Sequence, residues 1–150
     1  MKTQTKAVLA IGTSALVIAA MLQGAAAASA SPNSTLRFTN QLDSRQIVQA
    51  HPGVPTAGDA TYIASHAVAG ARGRTVASCA LVTPSGGGVR QCEVDFLLSG
   101  GTLTTRGITD LASTRVALVI TGGTGRYGGV HGSGTLTGTP TGSVVMLRLR

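Results

Sequence analysis

The segment of this chain that most resembles a ligand-binding motif is a glycine-rich stretch that follows an apolar run. Residues 116–120 are strongly apolar, and residues 121–128 read Thr-Gly-Gly-Thr-Gly-Arg-Tyr-Gly. Such a turn can bind a dinucleotide when it leads into a helix whose N-terminal amides meet the pyrophosphate. The same glycines can instead form the tight corner of a small β-barrel, where positive φ and close backbone approach are needed.

The dinucleotide interpretation lacks its other requirements. Further glycines between residues 128 and 134 would interrupt a helix, and no acidic residue follows Asp110 to bind a ribose. Only 22 residues follow Gly128, too few for the rest of a doubly wound sheet. We therefore predict a structural barrel corner, made by Gly122, Gly123, Gly125, Tyr127 and Gly128.

The remaining reactive side chains do not form a catalytic or metal-binding set. His51, His66 and His131 are far apart and lack metal-ligand spacing, so we predict no metal site. Each histidine is expected to have a surface or hydrogen-bonded structural role. The two cysteines, Cys79 and Cys92, are an even pair, which suggests a disulfide if the protein is exported.

The N-terminus indicates export. Lys2 and Lys6 precede an apolar stretch over residues 7–22, and small residues follow as far as Ala28-Ser29-Ala30. This pattern predicts a signal peptide helix over residues 1–30, cleaved near Ala30 or alternatively at Ala27, and a secreted domain over residues 31–150. A retained anchor is the alternative, but the run is short for a span of about 20 residues, so we predict no membrane association after cleavage.

The charge of the mature domain favours solvated surfaces. Both lysines leave with the signal, so ten arginines stand against five acids, a net charge of +5. The arginines are scattered singly, and only four aromatic residues accompany them. Nucleic-acid binders more often cluster basic residues among stacking aromatics, so we predict no nucleic-acid partner.

Short β-prone runs between Gly, Pro, Asp and Ser predict an all-β domain of about eight strands. Eight strands suit a closed antiparallel barrel whose interior is filled or holds one small ligand. Residues 44–59 are expected to form a loop. Residues 115–121 are apolar on both faces, which predicts a strand buried on both sides. It would be either a central strand or a strand whose outer face another subunit covers. The predicted strands are residues 35–42, 61–68, 75–83, 89–98, 102–109, 115–121, 132–139 and 143–150.

The third and fourth predicted strands form a hairpin that carries both cysteines. If Ser85 and Gly86 form its tip, Val82 lies opposite Val89 and Cys79 lies opposite Cys92. Opposed positions are close enough for a cross-strand disulfide. The three turn glycines leave the register open, and a slip of one residue would place the sulfurs on opposite faces.

The glycine corner also carries a family resemblance. Residues 120–132, Ile-Thr-Gly-Gly-Thr-Gly-Arg-Tyr-Gly-Gly-Val-His-Gly, resemble a segment of allene oxide cyclases, and a similar corner occurs in dirigent proteins. Weaker likenesses follow in order at residues 38–43, 58–59 and 78–82. The resemblance covers most of the mature chain. It implies a closed eight-stranded antiparallel barrel of calycin type, often trimeric, with an apolar lumen and no metal or organic cofactor.

The resemblance assigns lumen residues. Asn40 and Cys79 match a lumen Asn and a lumen Cys of the cyclases, which makes them the catalytic candidates. The cyclases' lumen Glu is replaced by Phe38, and an apolar ring cannot move a proton or stabilise a positive charge, which argues against true allene oxide cyclase activity. The Asn of their second strand falls near Ser65. The predicted ligand-binding residues of the lumen are Phe38, Asn40, Ser65, Cys79 and Phe96.

Two functions remain open from the sequence. The first is a secreted barrel that holds a small apolar molecule and steers a cyclisation or coupling through shape and desolvation. The alternative is a non-catalytic secreted structural or interaction module, favoured by the lost Glu, a disulfide in the lumen and the few aromatics. We also expect a homo-oligomer, a trimer by resemblance; a monomer in sedimentation at micromolar concentration would contradict it.

Overall fold

The chain folds as a closed barrel of eight antiparallel strands, as predicted. A computed structural model describes residues 33–150; the predicted signal peptide and its cleavage site lie outside them. Each strand pairs with the next, and β8 pairs with β1 to close the barrel. The strands are β1 Thr35–Val48, β2 Ala60–Gly70, β3 Gly73–Thr83, β4 Val89–Leu98, β5 Gly101–Asp110, β6 Arg115–Gly123, β7 Gly132–Thr139 and β8 Gly142–Leu149.

The barrel follows from alternation along the strands. Successive side chains point to opposite faces, so every second residue enters the lumen. In β8, Ser143, Val145, Leu147 and Leu149 are buried, and the residues between them are more exposed. A sequence with this period buries one face of each strand when the sheet closes on itself.

The first strand is longer than the sequence predicted. β1 continues to Val48, so the predicted loop over residues 44–59 is wrong in its first part. β1 pairs with β8 only as far as Gln41 but with β2 as far as Val48, so its last residues extend beyond the β8 edge and are exposed. Exposure on both faces explains why this stretch shows no apolar period.

The β3–β4 hairpin has the predicted cysteine register and a different tip. Cys79 lies opposite Cys92, and the two form a disulfide. The predicted pairing of Val82 with Val89 is wrong, because Thr83 takes that place and Val82 is an extra residue in β3. The glycine-rich turn absorbs the shift, so the register at the cysteines is kept.

β6 is buried on its inner face alone within this single chain. Leu118 and Ile120 are buried, whereas Val119 points outward and is 60% exposed. Residues 33–150 therefore do not cover the outer face of β6 at Val119. A second subunit over Val119 stays a prediction.

One half of the lumen is filled by large apolar side chains. Phe38 and Phe96 meet edge to face, with ring centroids 5.5 Å apart. Leu103, Ile120 and Leu147 pack in the same buried cluster, and Tyr127 closes this end of the barrel. Apolar burial of this kind contributes about 25 cal/mol per Å² of surface removed from water. The largest fully buried side chains, Phe96 and Leu103 among them, lie in this half.

The glycine corner is structural in the way the sequence indicated. A single 3₁₀ turn, Gly125–Tyr127, follows β6, so the corner does not begin the longer helix that a pyrophosphate site uses. Gly125 has φ +58°, and a Cβ there would overlap the carbonyl oxygen of Gly100. Gly122 has open space around it and no positive φ. The corner therefore depends on Gly125 much more than on Gly122.

This difference predicts the effect of adding a methyl group at each position. We expect Gly125→Ala to lower the free energy of unfolding by about 1–3 kcal/mol, because it combines left-handed strain with a backbone overlap. Gly122→Ala is the matched control, expected to change stability by less than about 0.5 kcal/mol. Urea denaturation measures both; equal effects would contradict the assignment.

Candidate functional site

The other half of the lumen is an open cavity of about 510 Å³. It opens at the end of the barrel where the β1–β2, β3–β4, β5–β6 and β7–β8 turns lie. Its volume falls in the range of sites for small organic ligands. The apolar part of its wall includes Ile63, Ala77, Val94, Val116, Leu136 and the disulfide between Cys79 and Cys92.

The cavity exists because the inward positions near the open end are small. The closed half takes Phe and Leu at many inward positions, whereas several inward positions of the open half take Ala, Ser, Thr or Gly. Interiors of small barrels are filled by side chains only where those side chains are large enough. The small inward residues that line the cavity are Ser65, Thr75, Ala77, Gly138, Gly142 and Ser143.

A hydrogen-bonded group forms the floor of the cavity. Asn40 Nδ2 donates to Thr75 Oγ1 at 2.9 Å and to Ser143 Oγ at 3.4 Å. Asn40 is only 2% exposed and lies beneath the lining, whereas Thr75 and Ser143 belong to the lining. The amide thus ties β1, β3 and β8 together across the bottom of the open half.

The floor presents hydrogen-bond donors to the cavity. Each hydroxyl accepts a bond from Asn40, and a hydroxyl also carries one hydrogen that it can donate. Within residues 33–150, neither Thr75 nor Ser143 donates that hydrogen to a protein acceptor. Ser65, directly opposite Thr75 in the β2–β3 pair, adds a third hydroxyl to the lining. An oxygen of a bound molecule is the acceptor that this floor suits.

Two arginines line the open end. Arg90 Nη2 donates to the carbonyl oxygens of Asp110 at 3.3 Å and Leu111 at 3.1 Å, which fixes the β5–β6 turn against the rim. Arg45, in the part of the chain that the structure describes, has no hydrogen bond or ion pair with another side chain. A guanidinium keeps its positive charge in proteins, so the mouth carries two fixed positive charges.

A β-bulge places Arg45 in the lining. Between the pairs Leu42↔Ser65 and Ser44↔Ala64, β1 contains one extra residue, Asp43. An extra residue reverses the face of every side chain that follows it. Arg45 therefore lines the cavity with Leu42, although strict alternation from Leu42 would turn it outward.

The acidic side chains of the described residues do not line the cavity. Asp43 pairs with His66, and Glu93 bonds to Arg106, both pairs on exposed outer faces. Asp59 holds the β1–β2 loop by accepting hydrogen bonds from the backbone amides of Thr56 and Ala50, each at 2.9 Å. Those amides, Thr56 first, lower the pKa of the Asp59 carboxyl from its ordinary value. Among the described residues, no carboxylate or imidazole lines the cavity.

The predicted lumen residues take different places. Ser65 and Cys79 line the cavity, and Asn40 supports its floor from below. Phe38 and Phe96 are buried in the filled half and do not line it. Cys79 is bonded to Cys92, so it presents no thiol to a ligand. Sequence analysis missed Thr75, Ser143, Arg90 and Arg45.

The described residues give no sign of two other kinds of site. No group of three or more His, Cys, Asp or Glu in residues 33–150 is placed to hold a metal ion. Over the same residues, no helix has the length and apolar character needed to cross a membrane.

The fold and cavity define a small closed barrel with a ligand-sized lumen, and solved structures of the same kind exist. One is a pyocyanin demethylase, with 22% identity, a TM-score of 0.69, and coverage of 78% of this chain and 100% of that one. Another is the Diels-Alderase AbmU from Streptomyces koyangensis, with 21% identity, a TM-score of 0.59, and coverage of 79% and 69%. A third is AbnU, an exo-specific intermolecular Diels-Alderase, with 13% identity, a TM-score of 0.59, and coverage of 79% and 98%.

These neighbours establish a fold that cyclases and a demethylase share. At such identities they establish nothing finer. No protein-family model and no curated protein sequence matches the chain. The resemblance to allene oxide cyclases and dirigent proteins is therefore not confirmed and stays a prediction.

Proposed function

We propose that this protein is a secreted barrel that holds a small, largely apolar molecule in the open half of its lumen and steers its cyclisation. The observation that carries the proposal is the cavity of about 510 Å³, with an apolar wall and a floor of hydroxyl donors. The activities of the barrel neighbours, which include two Diels-Alderases, support a cyclisation. Secretion rests on the predicted signal peptide and on the disulfide, a bond typical of oxidising compartments.

The chemistry of the lining favours a cycloaddition over reactions that move protons. In a [4 + 2] cycloaddition, two carbon–carbon bonds form from π electrons, and no proton, electron or leaving group is transferred. A site can accelerate such a step by holding the reacting carbons close together. Thr75 and Ser143 would donate hydrogen bonds to a carbonyl oxygen conjugated with the dienophile and so polarise it.

A neutral apolar probe tests the binding part of the proposal. We expect N-phenyl-1-naphthylamine to bind the cavity saturably, with the fluorescence increase typical of an apolar environment. Ala77→Phe fills the cavity wall and should weaken binding at least about tenfold, or 1.4 kcal/mol. Fluorescence titration measures both.

Ala80→Phe is the matched control, because Ala80 lies on the same strand and is exposed. It should leave the affinity within about twofold, since surface substitutions usually cost less than about 0.5 kcal/mol. Equal loss in both variants, or no saturable binding by the unaltered protein, would count against a binding lumen.

A second experiment separates catalysis from binding alone. We expect the protein to accelerate the intramolecular [4 + 2] reaction of a triene with a conjugated carbonyl, at a rate that stays constant between pH 6 and 9, because the described lining contains no carboxylate, imidazole or thiol. Thr75→Val removes one donor and should lower the rate constant on the order of tenfold, less than the 10²–10³-fold for a full oxyanion. Thr137→Val, on the exposed face of β7, is the control.

The second candidate function is a non-catalytic secreted binding or interaction module. The observation that favours it is the same lack of acid–base groups in the described lining. Probe binding without acceleration of any triene tested would favour this module over a cyclase.

We further propose that the chain assembles as a homo-oligomer, a trimer by resemblance. Ile108 and Val119 lie on neighbouring strands and are 68% and 60% exposed, an apolar outer strip that another subunit would cover. Analytical sedimentation at micromolar concentration is the measurement.

A further inference from the structure

We infer that the ligand of the lumen is an anionic amphiphile: an apolar body in the cavity, an anionic group at Arg45 and Arg90, and an oxygen acceptor at the floor. This inference rests on the proposed binding function and specifies the chemical class of the ligand. The anionic group would bind at the mouth of the cavity, and the acceptor oxygen would bind at its floor.

The mouth of the cavity is positively charged. Arg45 and Arg90 line the cavity, and among the described residues no acidic side chain does. Two of the nearby acids are already occupied: Asp43 pairs with His66, and the Asp59 carboxylate accepts two backbone amides. A third, Asp110, ends β5 beside Arg90, but it is exposed and lies outside the lining. The two guanidiniums are therefore not neutralised within the lining, and an anion gains most from them.

The two guanidiniums differ in their hydrogen bonds. Arg90 donates from Nη2 to two carbonyl oxygens, and its buried Nε has no partner within residues 33–150. Arg45 has no polar partner there. Arginine forms paired hydrogen bonds with carboxylates, phosphates and other planar or tetrahedral anions. Arg45 is the more available of the two, since Arg90 also braces the β5–β6 turn.

A long apolar wall separates the arginines of the mouth from the hydroxyls of the floor. Arg90 lies opposite Leu81, six residues along β3 from Thr75. At about 3.3 Å per residue, this is roughly 20 Å along the strand. The wall between is apolar, with Ala77, Val94 and the disulfide. A simple inorganic anion would not use that wall, so the ligand needs an apolar body between its anionic group and its acceptor oxygen.

Two probes with the same aromatic skeleton test the inference. 8-Anilino-1-naphthalenesulfonate carries a sulfonate that neutral N-phenyl-1-naphthylamine lacks. We expect the anionic probe to bind about tenfold more tightly to the unaltered protein. Arg45→Gln should weaken the anionic probe about three- to fivefold and leave the neutral probe within twofold. Arg45→Gln with Arg90→Gln should abolish the preference, and added salt should weaken the anionic probe alone.

Arg37→Gln is the matched control. Arg37 lies on the same strand, points outward and is exposed, so the substitution changes the net charge equally without touching the mouth. Thermal unfolding of each variant identifies any loss of fold, and Arg45→Gln alone suffices if the double variant does not fold.

The outcomes separate this inference from the proposed function. A preference reduced in Arg45→Gln, lost in the double variant and kept in Arg37→Gln supports the anionic ligand. Equal binding of the two probes, or equal loss in both variants, overturns it while the neutral probe still supports a binding lumen. Anionic-probe binding that survives Ala77→Phe lies outside the cavity and also overturns it. Failure of the neutral probe overturns the binding function itself.

Discussion

The edge-to-face contact between Phe38 and Phe96 divides the lumen, and the rest of the structure depends on that division. A barrel of eight strands has an interior that side chains can just fill. Here two aromatic rings and several leucines pack together in one half, which gives the fold a buried apolar core. The other half is then free to carry Ala, Ser, Thr and Gly inside without loss of the barrel. The closed half of the barrel therefore carries the packed core, and the open half carries the cavity.

The direction of each side chain follows from strand register. In β3 and β4, alternation places Thr75, Ala77 and Cys79 inside opposite inward residues of the partner strand, and Arg90 follows from Cys92 by the same period. In β1, the extra residue at Asp43 reverses the period and turns Arg45 toward the cavity. Alternation in β3 and β4 places the residues of the wall and the floor. The bulge at Asp43 places Arg45, the second positive charge of the mouth.

The sequence predicted what depends on period and local chemistry. It predicted eight strands, the opposition of the two cysteines and a structural corner that includes Gly125. Thr75, Ser143 and Arg90 also lay on faces that alternation defined, but a cavity depends on the volumes that meet across the lumen, and no single strand reveals them. The sequence could not predict where β1 ends, because its exposed last residues show no apolar period. It could not predict the direction of Arg45 either, because a bulge has no clear sequence signature. Phe38 lies in the filled half, where its ring packs against Phe96.

The uneven filling of the barrel has a consequence for how its sequence can change. A substitution at Phe96 or Leu103 opens a void in a packed interior, and such losses cost about 2–5 kcal/mol. A substitution at Ala77, Gly138 or Ser143 borders space that is already open, so larger or more polar side chains reshape the cavity without displacing a core. Selection can therefore retune what the open end accepts while the closed end preserves the barrel, an arrangement in which ligand preference diverges faster than architecture.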